Sequence, residues 1–186
     1  MNIIQMRVGH EITDLAKFYD SIPSHNELEC VEVGCYAGHS SVVAAERVKK
    51  LFCVDPWEWD KTPEEYGPED AFDERVAPFR DKVVKMKLKS SEAVLRFSDK
   101  SVDMVYIDGL HDRYNVTHDI LAWIPKIKEH GLICGHDFTD MPVHIGVVSS
   151  IRHLLGEPAD VYGDGSWWFS IDAIREKIAR LTLEEN

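Results

Sequence analysis

Apolar and polar positions along the 186 residues switch between a period near two and a period near 3.6, and the switches divide the chain into alternating strand and helix segments. Helical spacing comes first, with Ile12, Leu15, Phe18 and Tyr19 on one side of a segment from about Glu11 to Ser21. Leu28 to Val33 reads as a buried first strand, and a helix from about Ser40 to Lys49 follows it. Leu51 to Val54 is a short strand that stops at Asp55. Residues 57–75 are acidic and carry Pro63 and Pro68, which predicts an irregular flap leading into a helix before Pro78. From Val84 to Lys89 the pattern alternates: Val84, Met86 and Leu88 share one face, and Lys85, Lys87 and Lys89 share the other. Lysines at period two suit an edge strand, because their charge discourages pairing with another chain.

Ser91 to Phe97 reads as a short helix, and VDMVYID at 102–108 as the next buried strand. Val116, Ile120, Leu121, Ile124 and Ile127 then recur at helical spacing, although Pro125 should kink that helix or shift its end. Gly131 to Gly135 is a fifth strand, and a helix near Val147 to Leu155 precedes two strands around Val161 and Trp167 to Ile171. Trp167, Trp168 and Phe169 read as strand core rather than a substrate shelf. The order predicts one α/β domain over residues 1–186, with no internal repeat and no linker. Its expected architecture is a doubly wound, seven-stranded, mostly parallel sheet with helices on both faces and an antiparallel last strand. Ligands of such sheets bind outside the carboxyl ends of the strands, near the point where strand order reverses.

The composition, 44% hydrophobic and 29% charged, is that of an ordinary soluble domain, and no apolar run approaches the ~18 residues of a membrane span. The N-terminus lacks the basic start and long apolar stretch of a secretory signal, so the expected location is cytoplasmic. Cys30, Cys35, Cys53 and Cys134 lie in or beside strand-like runs, and none has Cys-x-x-Cys spacing, which predicts free buried thiols. A net charge of −12 repels a phosphate backbone, and no basic stripe offsets it, so nucleic acid is not expected as a partner.

The densest chemical signal is VEVGCYAGH at 31–39, a strand running into a glycine-punctuated turn and a helix. Gly34 can take backbone angles closed to other residues, and Gly38 allows close approach of a ligand as the helix opens. The spacing Gly-x-x-x-Gly omits the middle glycine that brings a dinucleotide-binding turn against a pyrophosphate, so a ligand without one fits better. Asp55 ends the second strand about twenty residues on, where a carboxylate can accept hydrogen bonds from both hydroxyls of a ribose. Trp57 has two readings, a ring against adenine or a core side chain. Glu32-x-Gly34-x-x-x-Gly38 resembles the first motif of class I S-adenosylmethionine-dependent methyltransferases. The resemblance covers nearly the whole chain in strand order. It implies that Glu32, Gly34, Gly38, Asp55 and Asp108 hold the cofactor, and that Ser90 and Ser91, after the third strand, contact its adenine.

Asp108 closes the fourth strand, and His136 with Asp137 closes the fifth. Adjacent strands lie about 4.8 Å apart, so these side chains can converge on one divalent cation such as Mg²⁺ or Mn²⁺. The pattern resembles the metal-dependent O-methyltransferases of catechol, caffeoyl-coenzyme A and macrolide-sugar type. Asp108 and Asp137 match their metal acids directly, while His136 stands where many relatives have an acid or amide. His111, in Asp-x-x-His-Asp-x-Tyr, occupies the place of the catechol type's catalytic lysine and can serve as general base. A plainer reading also stands: Asp108 touches the methionine part of the cofactor, His136 and Asp137 cap a loop, and His111 is structural. Asp112, His118 and Asp119 read as solvated or capping. The expected activity is methyl transfer to a hydroxyl of a small molecule, of sugar or phenol type. A nicotinamide-dependent oxidoreductase and a catalytically inactive Rossmann-like binding protein are the alternatives. A small-molecule acceptor is the expected partner, with no membrane, and exposed aromatics are compatible with a homodimer.

Overall fold

A computed structural model describes residues 10–58 and 67–184. Strands β1 (Glu29–Val33), β2 (Lys50–Val54), β3 (Val83–Met86), β4 (Val102–Ile107), β5 (Ile127–Gly135), β6 (Asp160–Val161) and β7 (Trp167–Ser170) form one sheet in the order β3-β2-β1-β4-β5-β7-β6. The first five pair in parallel, and β7 runs antiparallel to both β5 and β6. Helices α1 (His10–Ser21), α2 (His39–Ala45), α3 (Pro68–Val76), α4 (Ser90–Ala93), α5 (Arg113–Trp123), α6 (Ile145–Leu154) and α7 (Ile171–Glu184) complete the fold. The expected doubly wound sheet is present, and strand order reverses between β1 and β4.

Strand alternation sorts the core into two layers. Val31, Val33, Val105, Ile107, Ile133 and Trp167 face one side, where Ile120 and Trp123 of α5 cover them. Cys30, Met104 and Tyr106 face the other, under Leu15, Phe18 and Tyr19 of α1. All four cysteines are free and buried, and burial pushes each thiol above its ordinary pKa.

Three sequence expectations change. The helical period continues past Pro125, but α5 stops at Trp123, and Ile124–Lys126 form a 3-10 turn with Pro125 inside it. Ile127 therefore begins β5 rather than ending a helix, and Leu121 points to solvent instead of the core. Strand β3 stops at Met86, short of Lys89; Lys85 pairs with Glu69 and Asp73 of α3, and Lys87 with Glu69. Helix α7 follows β7 directly and takes over Ile171, which the sequence pattern had given to the strand. Residues 59–66 of the expected flap lie outside the described residues.

The end of α5 yields a paired prediction. Ile120→Ala removes a fully buried side chain and should cost about 2–5 kcal/mol, whereas Leu121→Ala, on a side chain 57% exposed, should stay within about 0.5 kcal/mol. Chemical denaturation of the two variants measures both values.

Candidate functional site

The glycine turn closes β1 by packing onto β4. Gly34 has φ 90°, and a Cβ there would strike the carbonyl oxygen of Asp108. Two backbone bonds fix the junction: Gly34 N–H donates to Val54 O at 2.8 Å, and Asp108 N–H donates to Val33 O at 2.8 Å. Gly38, with φ 80°, is the N-cap of α2, and a Cβ there would meet Phe72 of α3 at 3.0 Å. Arg75 ties α3 to the same turn by donating to Ala37 O at 2.7 Å. Glu32 is buried beneath the turn, where its carboxylate accepts from Ser41 Oγ.

Asp55 is also buried and acts as an acceptor for the turn. Its Oδ2 takes the amides of Cys35 and Tyr36 at 3.0 and 2.9 Å, and its Oδ1 takes the amide of Trp57 at 2.7 Å. Tyr36 and Trp57 both have φ near 45°, a left-handed conformation that a non-glycine residue holds only where surrounding contacts enforce it. Trp57 is buried: its ring lies 4.8 Å from that of Phe72, and its Nε1 donates to Tyr36 O. Ser90 likewise faces inward, donating to Asp119 Oδ1 at 2.6 Å while accepting from Trp123 Nε1 at 2.9 Å, whereas Ser91 is exposed. Asp112 caps α5 through the amides of Tyr114 and Asn115, as a capping residue should. Asp119 is not solvated but buried, and burial raises its pKa against the opposing bond from Ser90.

At the carboxyl ends of β4 and β5 the side chains gather around Asp137. Its φ of 66° turns the buried carboxylate toward three imidazoles. His111 Nε2 lies 2.9 Å from Oδ2, while His136 Nδ1 lies 2.8 Å and His144 Nε2 3.2 Å from Oδ1. Burial pushes the Asp137 pKa up, but the bonds from His111 and His136 outweigh it and hold the carboxyl well below the usual carboxylate range. His136 also faces Asp108 Oδ1 from Nδ1 and Asp164 Oδ2 from Nε2, each at 3.9 Å. One potential ligand atom from each of Asp108, His136 and Asp137 falls within 4.8 Å of the others, the spread that one cation requires. Two carboxylates and an imidazole fit a divalent ion, with Mn²⁺, Fe²⁺ or Zn²⁺ suited better than Mg²⁺ to the nitrogen. The structure thus brings together Asp108, His111, His136 and Asp137, beside the turn that holds Gly34.

Sequence reasoning missed His144 and Asp164. Neither has a local signal: His144 sits in the loop between β5 and α6, and Asp164 in the β6–β7 turn, where it accepts from Ser166 N and Oγ. Only the return of α6 and β7 across the ends of β4 and β5 carries them to the cluster.

A seven-stranded sheet of this order, with β7 antiparallel and a glycine turn at the reversal point, is the fold of the class I S-adenosylmethionine-dependent methyltransferases. A family described as a methyltransferase domain matches residues 31–138, more than half of the chain, and the chain belongs to it. Among curated proteins, the uncharacterized protein y4gI of Sinorhizobium fredii is 30% identical over 117 residues, covering 58% of this chain and 13% of that much longer protein. Two solved structures share the fold. One is a Staphylococcus aureus protein assigned as a caffeoyl-CoA O-methyltransferase, with TM-score 0.62, 15% identity, and coverage of 84% of this chain and 81% of that one. The other is phosphoethanolamine N-methyltransferase 1 of Haemonchus contortus in complex with phosphoethanolamine and S-adenosylhomocysteine, with TM-score 0.55, 20% identity, and coverage of 71% of this chain and 27% of that one. Among the described residues no helix is long and apolar enough to cross a membrane.

Asp119 supplies a pH test of this geometry. Its folded pKa is raised, so its stabilising protonated form is fully present below the unfolded carboxyl pKa of about 3.9 and is lost as pH rises through the folded value. Asp119→Asn removes that charge. Relative to the unsubstituted protein it should gain stability between pH 4 and pH 8, as read by denaturation at both ends.

Proposed function

We propose that this chain is a methyltransferase domain that transfers the methyl group of S-adenosylmethionine to a hydroxyl of a small molecule, of sugar or phenol type, with a divalent cation assisting. The observation that carries the reading is the contact of Gly34 with the backbone of Asp108, which sets the cofactor turn directly against the cluster of acids and imidazoles. In this reading Glu32 and Asp55 shape the turn from below, and Ser90 and Ser91 lie on the adenine side. Trp57 supports the turn from the core, and Asp108 borders the methionine end of the cofactor.

Asp108, His136 and Asp137 would hold the ion. When bound, such a cation lowers the pKa of a hydroxyl and positions its oxygen. His111 directs Nε2–H toward Asp137, which leaves Nδ1 as the atom that takes the acceptor's proton. The acceptor oxygen forms a bond to the methyl carbon as the carbon–sulfur bond breaks. The electron pair stays on sulfur, S-adenosylhomocysteine leaves, and the proton ends on His111. The turn and the strand-end cluster contribute alignment, the main demand of a direct displacement. Leu110, Tyr114, Met141, Val143 and Ile145 are exposed apolar side chains in the segments that carry His111 and His144, and they suit an acceptor with an apolar face.

Calorimetric titration with S-adenosylmethionine and S-adenosylhomocysteine, with Mn²⁺ present and after chelation, tests the cofactor and the ion. Micromolar binding that changes with Mn²⁺ is expected, and absence of binding under every condition would remove the assignment. Once a screen of hydroxylated compounds yields an acceptor, His111→Ala should lower kcat by about 10²–10⁴ with a smaller change in KM. Asp137→Ala should abolish the response to Mn²⁺; activity that keeps its full metal response would rule out the assisted mechanism.

A further inference from the structure

His144 stands outside the donor set assigned to the assisting cation, yet it faces the same carboxylate. Its Nε2 lies 3.2 Å from Asp137 Oδ1, and His111 Nε2 lies 2.9 Å from Oδ2. The two rings meet edge to face, with centroids 5.3 Å apart. One ligand atom from each of His111, Asp137 and His144 falls within 4.8 Å of the other two, so this trio forms a second donor set that shares only Asp137 with the first. We infer that His111, His144 and Asp137 form a second site, overlapping the first at Asp137, for a divalent transition ion of the Zn²⁺ class.

Two imidazoles and one carboxylate make a nitrogen-rich set, which Zn²⁺ and Co²⁺ accept readily and Mg²⁺ does not. The orientation of the donors is already fixed. Thr139 Oγ1 bonds His144 Nδ1 at 2.7 Å, the outer contact that aims a ligating ring through its opposite nitrogen. A Cβ on Gly146, at the start of α6, would strike the carbonyl oxygen of His111 and come within 2.8 Å of Arg113 N. The segments carrying the two histidines are therefore packed against each other at backbone distance. Asp137, held by its left-handed turn, presents one oxygen to each ring. His111 is 42% exposed at its side chain, which leaves the trio open to an ion arriving from solvent. On the function proposed above, and resting on it, an ion here displaces the proton that His111 shares with Asp137 and so opposes its work as a base. The site itself is independent of that function.

The test is titration of the full chain, stripped of metal, with Co²⁺ alone, followed by displacement with Zn²⁺. A visible absorption band of a low-coordinate Co²⁺ centre with nitrogen and oxygen ligands is expected, without near-ultraviolet thiolate charge transfer. His144→Ala should weaken Co²⁺ and Zn²⁺ by at least about tenfold while leaving Mn²⁺ binding at Asp108 and His136 within twofold, and Thr139→Val should weaken Zn²⁺ by about tenfold. Should His144→Ala fail to fold by circular dichroism, His144→Gln, which keeps the loop polar, is read in its place. The inference is overturned if Co²⁺ does not bind, if thiolate bands place it on Cys35 and Cys53, or if His136→Ala abolishes the signal while His144→Ala leaves it intact. Methyl acceptor and cofactor play no part in these readouts, so failure of the site and failure of the proposed function are separate results.

Discussion

The close approach of β1 to β4 at their carboxyl ends is the constraint on which the site depends. Gly34 presses against the carbonyl of Asp108, where any side chain would collide, and the same logic repeats one strand further along. A Cβ on Gly135 would strike the carbonyl of Ile107 and lie 2.7 Å from the ring of Trp167. With no side chains in the way, three strand ends stack at backbone distance, and Asp108, His136 and Asp137 emerge from them within reach of one another.

The second organising feature is the handling of buried carboxylates in an acidic chain. A carboxylate removed from water is costly unless hydrogen bonds replace its solvation. Asp55 accepts three amides, Asp164 accepts the amide and hydroxyl of Ser166, and Asp137 is surrounded by three imidazoles. The first two bond to groups that always carry a proton, so they act as fixed braces for loops. Asp137 differs in kind, because imidazole nitrogens can give up their proton and become ligands. That difference separates the brace carboxylates from Asp137.

Much of the fold was legible because its signals are local. The valine-rich segments of β1 and β4 and the glycines at 34 and 38 each follow from the requirements of a buried strand or a left-handed turn. The acids that close β4 and β5 were legible for the same reason, since a strand end has a fixed place in a parallel sheet. The misreadings arose where one local signal met a competing one. Five apolar residues at helical spacing run through Pro125, but a proline cannot donate within a helix, so Ile127 goes to a strand and Leu121 to solvent. Asp119 reads as a solvated or capping residue of a helix, yet the packing of that helix buries it and Ser90 donates to its carboxylate.

Sequence alone determined the order of the strands, the glycine turn and the strand-end acids, because each depends on residues close together in the chain. Tertiary structure alone decided which side chains face Asp137 and His136. His144 arrives with the loop into α6, and Asp164 arrives on the turn of an antiparallel hairpin that folds back over β5. Contacts between residues far apart in sequence are set by how layers pack, and no period or motif along the chain encodes that packing.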